Sequence, residues 1–220
     1  MKTVNPYGAL ILAGGNARRL GGVHKPGLLI GGVRLLDRVL AAVPDAVPRV
    51  VVGPPQPTPP DVRVVREEPP GGGPVAALSA GITALADATQ QAISWLALLA
   101  GDLPFLTPGV ITALRLAAEG AEGAVLVDPD GRDQYLAGVY RMDALATAVT
   151  SVGPPSGVPL RRVVAGLDLV RVPAPERPGA APPWLDCDDA EDIRAAEAFA
   201  RQASDQTVNR PTVGRKEADG

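Results

Sequence analysis

Cysteine occurs once in the 220 residues, at Cys187, so no disulfide can form within the chain. A thiolate zinc cluster is excluded for the same reason, and the composition fits a reducing compartment. Histidine also occurs once, at His24. A Ser-His-Asp triad would depend on that residue, and no Gly-x-Ser-x-Gly elbow accompanies it. Aromatic residues make up 3% of the chain, which leaves little material for stacking nucleobases on a platform. Net charge is −3, so no basic field argues for a nucleic acid or an anionic membrane as partner. The longest later apolar run, around Ile93 to Ala100, stops at Gly101-Asp102, far short of a membrane span. The N-terminal apolar run is short and passes into a glycine loop without a cleavage-type ending. No export signal is therefore expected, and a cytoplasmic location is.

What is present is apolar and regularly punctuated. Apolar residues make up 46% of the chain, enough for one domain with a full core. Strands are expected at Gly8–Ala13, Arg49–Gly53, Val62–Val65, Ser94–Ala100, Gly123–Val127, Tyr135–Tyr140 and Asp168–Val172. Helices are expected at Arg34–Ala42, Val75–Asp87, Pro108–Ala118, Met142–Val149, Gly157–Ala165 and Asp189–Gln202. Several strands are continuous apolar runs, as when helices cover both faces of a parallel sheet. The alternation predicts a doubly wound α/β domain over residues 1–202, three layers deep, with a mostly parallel sheet. Ligands bind outside the carboxyl ends of such strands, so chemistry is expected after Ala13, Val65 and Ala100. Pro54 to Pro60 reads as a stiff surface connection. Residues 203–220 are polar and aperiodic, and are expected to form a disordered tail.

The loop Leu12-Ala13-Gly14-Gly15-Asn16-Ala17-Arg18-Arg19-Leu20-Gly21-Gly22-Val23-His24-Lys25-Pro26 follows the first strand. Glycines let a backbone approach a ligand closely. Backbone N–H groups with nearby Arg and Lys suit phosphate oxygens. The loop is not a P-loop, because no Gly-Lys-Ser/Thr follows, and it does not fit G-x-G-x-x-G. An ordinary turn with solvated arginines is the plainer reading. The clustering of Arg18, Arg19 and Lys25 in one loop favours a phosphate site.

Three further segments carry candidate chemistry. Asp102 directly follows the strand ending at Ala100, where a carboxylate can join Mg²⁺ to substrate phosphates, with Gly101 leaving room for a ligand. A helix-capping aspartate is the alternative there. In Trp184-Leu185-Asp186-Cys187-Asp188-Asp189-Ala190-Glu191-Asp192, either Asp188 or Asp189 caps the helix and Glu191 completes the capping arrangement. Asp186 or Asp188 can also reach a metal, which would relieve the crowded charge. Glu67-Glu68-Pro69-Pro70-Gly71-Gly72-Gly73-Pro74 precedes a helix whose N-terminus can receive a base, a sugar hydroxyl or a phosphate. Asp130-Gly131-Arg132-Asp133-Gln134 reads as a hairpin turn, with Arg132 facing either solvent or an anionic second substrate. Arg161 and Arg162 read as surface charges.

These segments, in this order, resemble the nucleotidyltransferases of the molybdenum cofactor guanylyltransferase family. Leu12-Ala13-Gly14-Gly15-x-x-x-Arg19-Leu20-Gly21-Gly22-x-x-Lys25 is similar to its signature loop. Gly72-Gly73-Pro74-Val75-Ala76-Ala77 resembles its Gly-Pro-Leu-Ala-Gly segment, Gly101-Asp102-Leu103-Pro104 its metal-aspartate motif, and Asp188-Asp189-Ala190-Glu191-Asp192 its late acidic motif. The resemblance implies a Rossmann-like nucleotidyltransferase fold and Mg²⁺-dependent transfer of GMP from GTP to molybdopterin. It implies that Leu12, Ala13 and Gly14 hold the guanine and ribose by backbone contacts, that Gly15 and Gly73 also bind the nucleotide, and that Glu68 is the acidic residue that helps bind the nucleoside. Arg19 and Lys25 would grip the triphosphate, Asp102 would bind Mg²⁺, and Asp188 would be a second metal contact. Partners in molybdoenzyme maturation are a further implication. The chain departs from the family at His24, where Asp is usual, at the base-side acid, where Glu67 and Glu68 replace Asp, and at Gln134-Tyr135, which replaces a His-Pro pair. Transfer from CTP or to a sugar phosphate, and a non-catalytic nucleotide-binding protein, are the alternatives.

Overall fold

A computed structural model describes residues 6–14, 27–88, 93–175 and 178–208. Nine strands and six helices are described. The first strand, β1 (Tyr7–Leu12), is followed by the short pair β2 (Leu29–Ile30) and β3 (Val33–Arg34), then α1 (Leu35–Ala41), β4 (Arg49–Val52) and β5 (Val62–Val65). Next come α2 (Pro74–Ala88), β6 (Trp95–Ala100), α3 (Pro108–Ala117), β7 (Gly123–Val127) and β8 (Asp133–Arg141). The last elements are α4 (Met142–Ser151), α5 (Leu160–Val164), β9 (Leu169–Pro173) and α6 (Ala190–Val208).

The main sheet has the order β5-β4-β1-β6-β8-β7-β9. Only β8 runs antiparallel to its neighbours; the remaining pairings are parallel. The mostly parallel α/β fold expected from the apolar runs is the one observed. Residues of alternate parity enter opposite cores, because successive side chains leave a strand on opposite faces. Ala9, Ile11, Val51, Ala97 and Leu99 pack with α1 and α3. Leu10, Val50, Val52, Leu96 and Leu98 pack with α2, α4 and α5. Both faces are dry, which is why these strands read as unbroken apolar runs. The layers approach closely at Gly81 of α2, where an added Cβ would overlap the Leu10 side chain.

Element boundaries differ from expectation in three instructive places. The β2–β3 ribbon was not expected; its two-residue loop is Gly31-Gly32, with φ of 56° and 75° at the two glycines. That conformation matches the twist of paired strands and is open mainly to glycine. The helix expected over Gly157–Ala165 begins only at Leu160, because Gly157 has a φ of 75° and Pro159 stands at the N-cap. The helix expected over Asp189–Gln202 is α6, which continues to Val208.

The acidic segment before α6 forms a reciprocal cap. Asp189 Oδ1 accepts from the N–H groups of Glu191 and Asp192 at 2.8 and 3.1 Å. Asp192 Oδ2 accepts in return from the N–H groups of Asp188 and Asp189 at 2.9 and 3.0 Å. Asp189 is therefore the N-cap, and Asp192 rather than Glu191 closes the box.

Candidate active site

The parallel sheet reverses its winding between β1 and β6, which neighbour each other in the sheet but are separated in sequence by β4, β5 and α2. Clefts open at such reversal points, at the carboxyl ends of the strands. A cleft of about 440 Å³ lies there. The end of β1 contributes Leu12 and Gly14, the segment after β5 contributes Glu67, Gly71 and Gly73, and α2 contributes Pro74 and Ala77. The end of β6 contributes Ala100 and Asp102, and Leu136 reaches in from β8. Leu136 does so at an irregularity: β7 pairs Val125 with Gly138 but Leu126 with Gln134, so β8 carries extra residues at this point.

The backbone that leaves β1 is held from both sides. The Ala13 N–H donates to Val52 O at 2.7 Å, and the Gly101 N–H donates to Leu12 O at 2.9 Å. A Cβ on Gly53 would stand 2.8 Å from Ala13 O, and one on Gly101 would stand 3.2 Å from both Ala13 Cα and Leu12 O. Gly53 and Gly101 thus admit the chain between them. The room expected at Gly101 for a ligand is taken by this neighbouring strand end instead.

Glu67 is, with Asp102, one of the two acidic residues among the described residues that line the cleft. It is 6% exposed, and its Oε1 accepts from the Gly71 N–H at 2.9 Å. Its Oε2 is buried with no hydrogen-bond partner among the described residues. A Cβ on Gly14 would lie 3.8 Å from either carboxylate oxygen, so Glu67 faces the end of the β1 loop. Glu68, the residue chosen from the sequence, is exposed and does not line the cleft. The strand ends at Val65, after which the two-residue alternation no longer tells which glutamate turns inward.

The remaining expected residues divide clearly. Leu12, Gly14, Gly73 and Asp102 line one cleft, and Ala13 is buried directly behind it. Asp102 is half-buried. Gly15, Arg19 and Lys25 lie outside the described residues, as do Arg18 and His24. Asp188 sits beside the α6 cap, donating its N–H to Asp192, and does not line the cleft. Among the described residues no group of three or more His, Cys, Asp or Glu side chains is arranged to hold a metal ion. Gln134 donates to Asp128 Oδ2 at 3.0 Å, and the Arg132 N–H donates to Asp128 Oδ1 at 2.8 Å, so this segment is the expected hairpin turn. The Arg132 guanidinium is exposed, 3.8 Å from Asp130. No described helix is long and apolar enough to cross a membrane.

Fold and cleft together are those of a doubly wound α/β protein with its cleft at the reversal of strand order. The chain belongs to the MobA-like NTP transferase domain family, whose pattern matches residues 9–170. It is 35% identical over 153 residues to a Mycobacterium tuberculosis protein named probable molybdenum cofactor guanylyltransferase, covering 67% of this chain and 74% of that one. A Mycobacterium ulcerans protein of the same name is 33% identical over 193 residues, covering 77% and 93%. Among solved structures, molybdopterin-guanine dinucleotide biosynthesis protein A from Archaeoglobus fulgidus superposes with a TM-score of 0.63 at 16% identity, covering 88% of this chain and 98% of that one. The 2-C-methyl-D-erythritol 4-phosphate cytidylyltransferase from Thermus thermophilus gives 0.62 at 21% identity, covering 89% and 99%. At those identities the likeness is one of fold.

Proposed function

We propose that the protein transfers GMP from GTP to molybdopterin and releases pyrophosphate. The observation that carries this reading is the cleft itself. Glu67 and Asp102 line the same cleft as the backbone of Leu12 and Gly14, with Ala13 buried, and this supports the reading. A guanosine offers N–H and O–H donors that a glutamate such as Glu67 can accept, and a triphosphate needs charge compensation. The relatives named probable molybdenum cofactor guanylyltransferase support the choice of guanylyl transfer and of this acceptor.

In this mechanism an oxygen of the acceptor's terminal phosphate attacks the α-phosphorus of GTP in line. A new P–O bond forms as the bond to the bridging oxygen breaks, and pyrophosphate leaves with that electron pair. No protein nucleophile is needed, and the attacking phosphate is already anionic. The chain's own contribution is positioning and charge neutralisation. Leu12, Ala13, Gly14, Gly73 and Glu67 orient the nucleoside. Arg19, Lys25 and Gly15 enter on their sequence pattern: Arg19 and Lys25 neutralise the departing phosphates, and Gly15 binds the nucleotide through its backbone.

The donor set fits Mg²⁺. A half-buried carboxylate, Asp102, faces the cleft as a hard oxygen ligand, and Mg²⁺ commonly uses one or two carboxylates with substrate phosphates and water. Bound there, the ion supplies compensation for charge on the attacked phosphate. The proposal rests on Asp102 rather than on Asp188. Action in the cytoplasm, with partners in molybdoenzyme maturation and neither nucleic acid nor membrane, follows from the same reading.

The test is pyrophosphate release with each of the four ribonucleoside triphosphates and molybdopterin, with and without Mg²⁺. GTP alone should support turnover. Lys25→Ala and Asp102→Ala should each abolish most of it with an unchanged circular dichroism spectrum. Near-normal release by either variant, or a preference for CTP, would sink the assignment.

A further inference from the structure

The Gly-rich wall of the cleft is held from outside by a loop that does not itself line the cleft. Gly71 and Gly73 line the cleft, with φ of 79° and 90°. A run of glycines has wide conformational freedom and does not hold a wall in place unaided. Gly72, between them, is buried and faces away. A Cβ there would stand 2.8 Å from Ala76 Cβ of α2 and 3.5 Å from Ser156 Oγ in the α4–α5 connection. The Gly72 carbonyl accepts from the Gly157 N–H at 2.8 Å. On its inner side the same loop is tied by the Gly71 N–H to Glu67.

The outer tether is itself fixed. Gly157 has a φ of 75°, a conformation that aims its N–H at Gly72 and that side-chain-bearing residues rarely adopt. Three residues on, Leu160 begins α5, whose Leu160, Val163 and Val164 are buried in one cluster with Val75 and Leu78 of α2. The α4–α5 loop and the helix behind the Gly-rich wall are thereby packed into one body.

We infer that Gly157 is a positioning residue for nucleotide binding, with the α4–α5 loop clamping the Gly-rich wall in its binding conformation. The inference rests on the reading of the cleft as a GTP site. If the clamp slips, the competent conformation is populated only in part, and apparent affinity falls by that fraction.

The test compares Gly157→Val, Gly157→Ala and Gly157→Asn in the full chain. Gly157→Val should raise the GTP Kd and KM about tenfold and Gly157→Ala about threefold, with kcat and the molybdopterin KM within about twofold of the parent. Asn tolerates the left-handed region and keeps the N–H, so Gly157→Asn should stay within about twofold. An unchanged GTP Kd in Gly157→Val overturns the clamp, as does a loss confined to kcat or an Asn variant as impaired as the Val one. Amide exchange at Gly71–Gly73 without nucleotide decides the clamp independently, and should accelerate in Gly157→Val and not in Gly157→Asn. Should the parent protein fail to bind GTP, guanylyl transfer falls, while that exchange comparison still decides the clamp.

Discussion

Glu67→Gln separates binding from folding at a single buried atom. The substitution is nearly isosteric and keeps an acceptor for the Gly71 N–H, whose bond to Oε1 is 2.9 Å. It replaces the unpartnered Oε2 with an NH₂ donor. A hydrogen bond to a charged group contributes about 1.5–3 kcal/mol, so losing it should weaken GTP about 10- to 150-fold. The free protein should lose nothing, because a buried oxygen without a partner costs about 1–3 kcal/mol and contributes no contact. Thermal unfolding reads both effects. At GTP near 100 times the parent's Kd, ligand stabilisation is about 2.7 kcal/mol, and a 30-fold weaker variant retains about 0.9 kcal/mol. For a domain of this size that is a Tm rise of about 5–11 °C for the parent against about 2–4 °C for Glu67→Gln. The reasoning is refuted if the variant keeps the parent's GTP-induced shift. It is equally refuted if the free variant melts several degrees lower, since Oε2 would then serve the fold.

Two further outcomes test the packing and the buried hydroxyls. Gly81→Ala, ordinarily favourable in a helix, should here destabilise by about 1–3 kcal/mol in urea titration, because the new methyl overlaps Leu10. Burial raises the Tyr140 and Tyr7 hydroxyls above the ordinary tyrosine value of 10.0, with the Asp45 hydrogen bond adding to the effect at Tyr7. A raised folded-state value means that this stability is complete below the unfolded pKa and declines as pH climbs above it, by about 1.4 kcal/mol per pH unit for each tyrosine. Urea midpoints measured from about pH 9 to pH 11.5 should therefore fall more gently in Tyr140→Phe than in the parent.

Strand legibility followed burial. Where both faces of a strand are covered, as at Leu10–Ile11 or Leu96–Leu99, the apolar run announces itself, and the strand ends then locate the cleft. Legibility failed where a single residue's direction mattered. Glu67 and Glu68 are equivalent in composition, and only the turn after Val65 aims one inward. Asp192 closes the α6 cap because the helix starts at Ala190, a position fixed by Asp189 rather than by any periodicity. The β2 and β3 strands have two residues each, too few to show a period, although their Gly-Gly loop was a readable hairpin signal. Gly101 was read as facing a ligand because pairing of β1 with β6 is a contact between distant segments. The Gly157 clamp was hidden for the same reason: its partner, Gly72, lies more than eighty residues earlier in the chain.

The strand that presents the candidate active site waits for a partner made much later in the chain. β1 lies inside the sheet, and its partners are β4 and, much later, β6. As the chain emerges from a ribosome, β4 can cover one backbone edge of β1 early, but the other edge stays unpaired until Trp95–Ala100 have been synthesised. At about 5–20 residues per second that interval lasts seconds, long enough for a nascent segment to meet a chaperone or another chain. Expression yield, more than the stability of the finished fold, is thus where substitutions in β1 and β6 should first be felt.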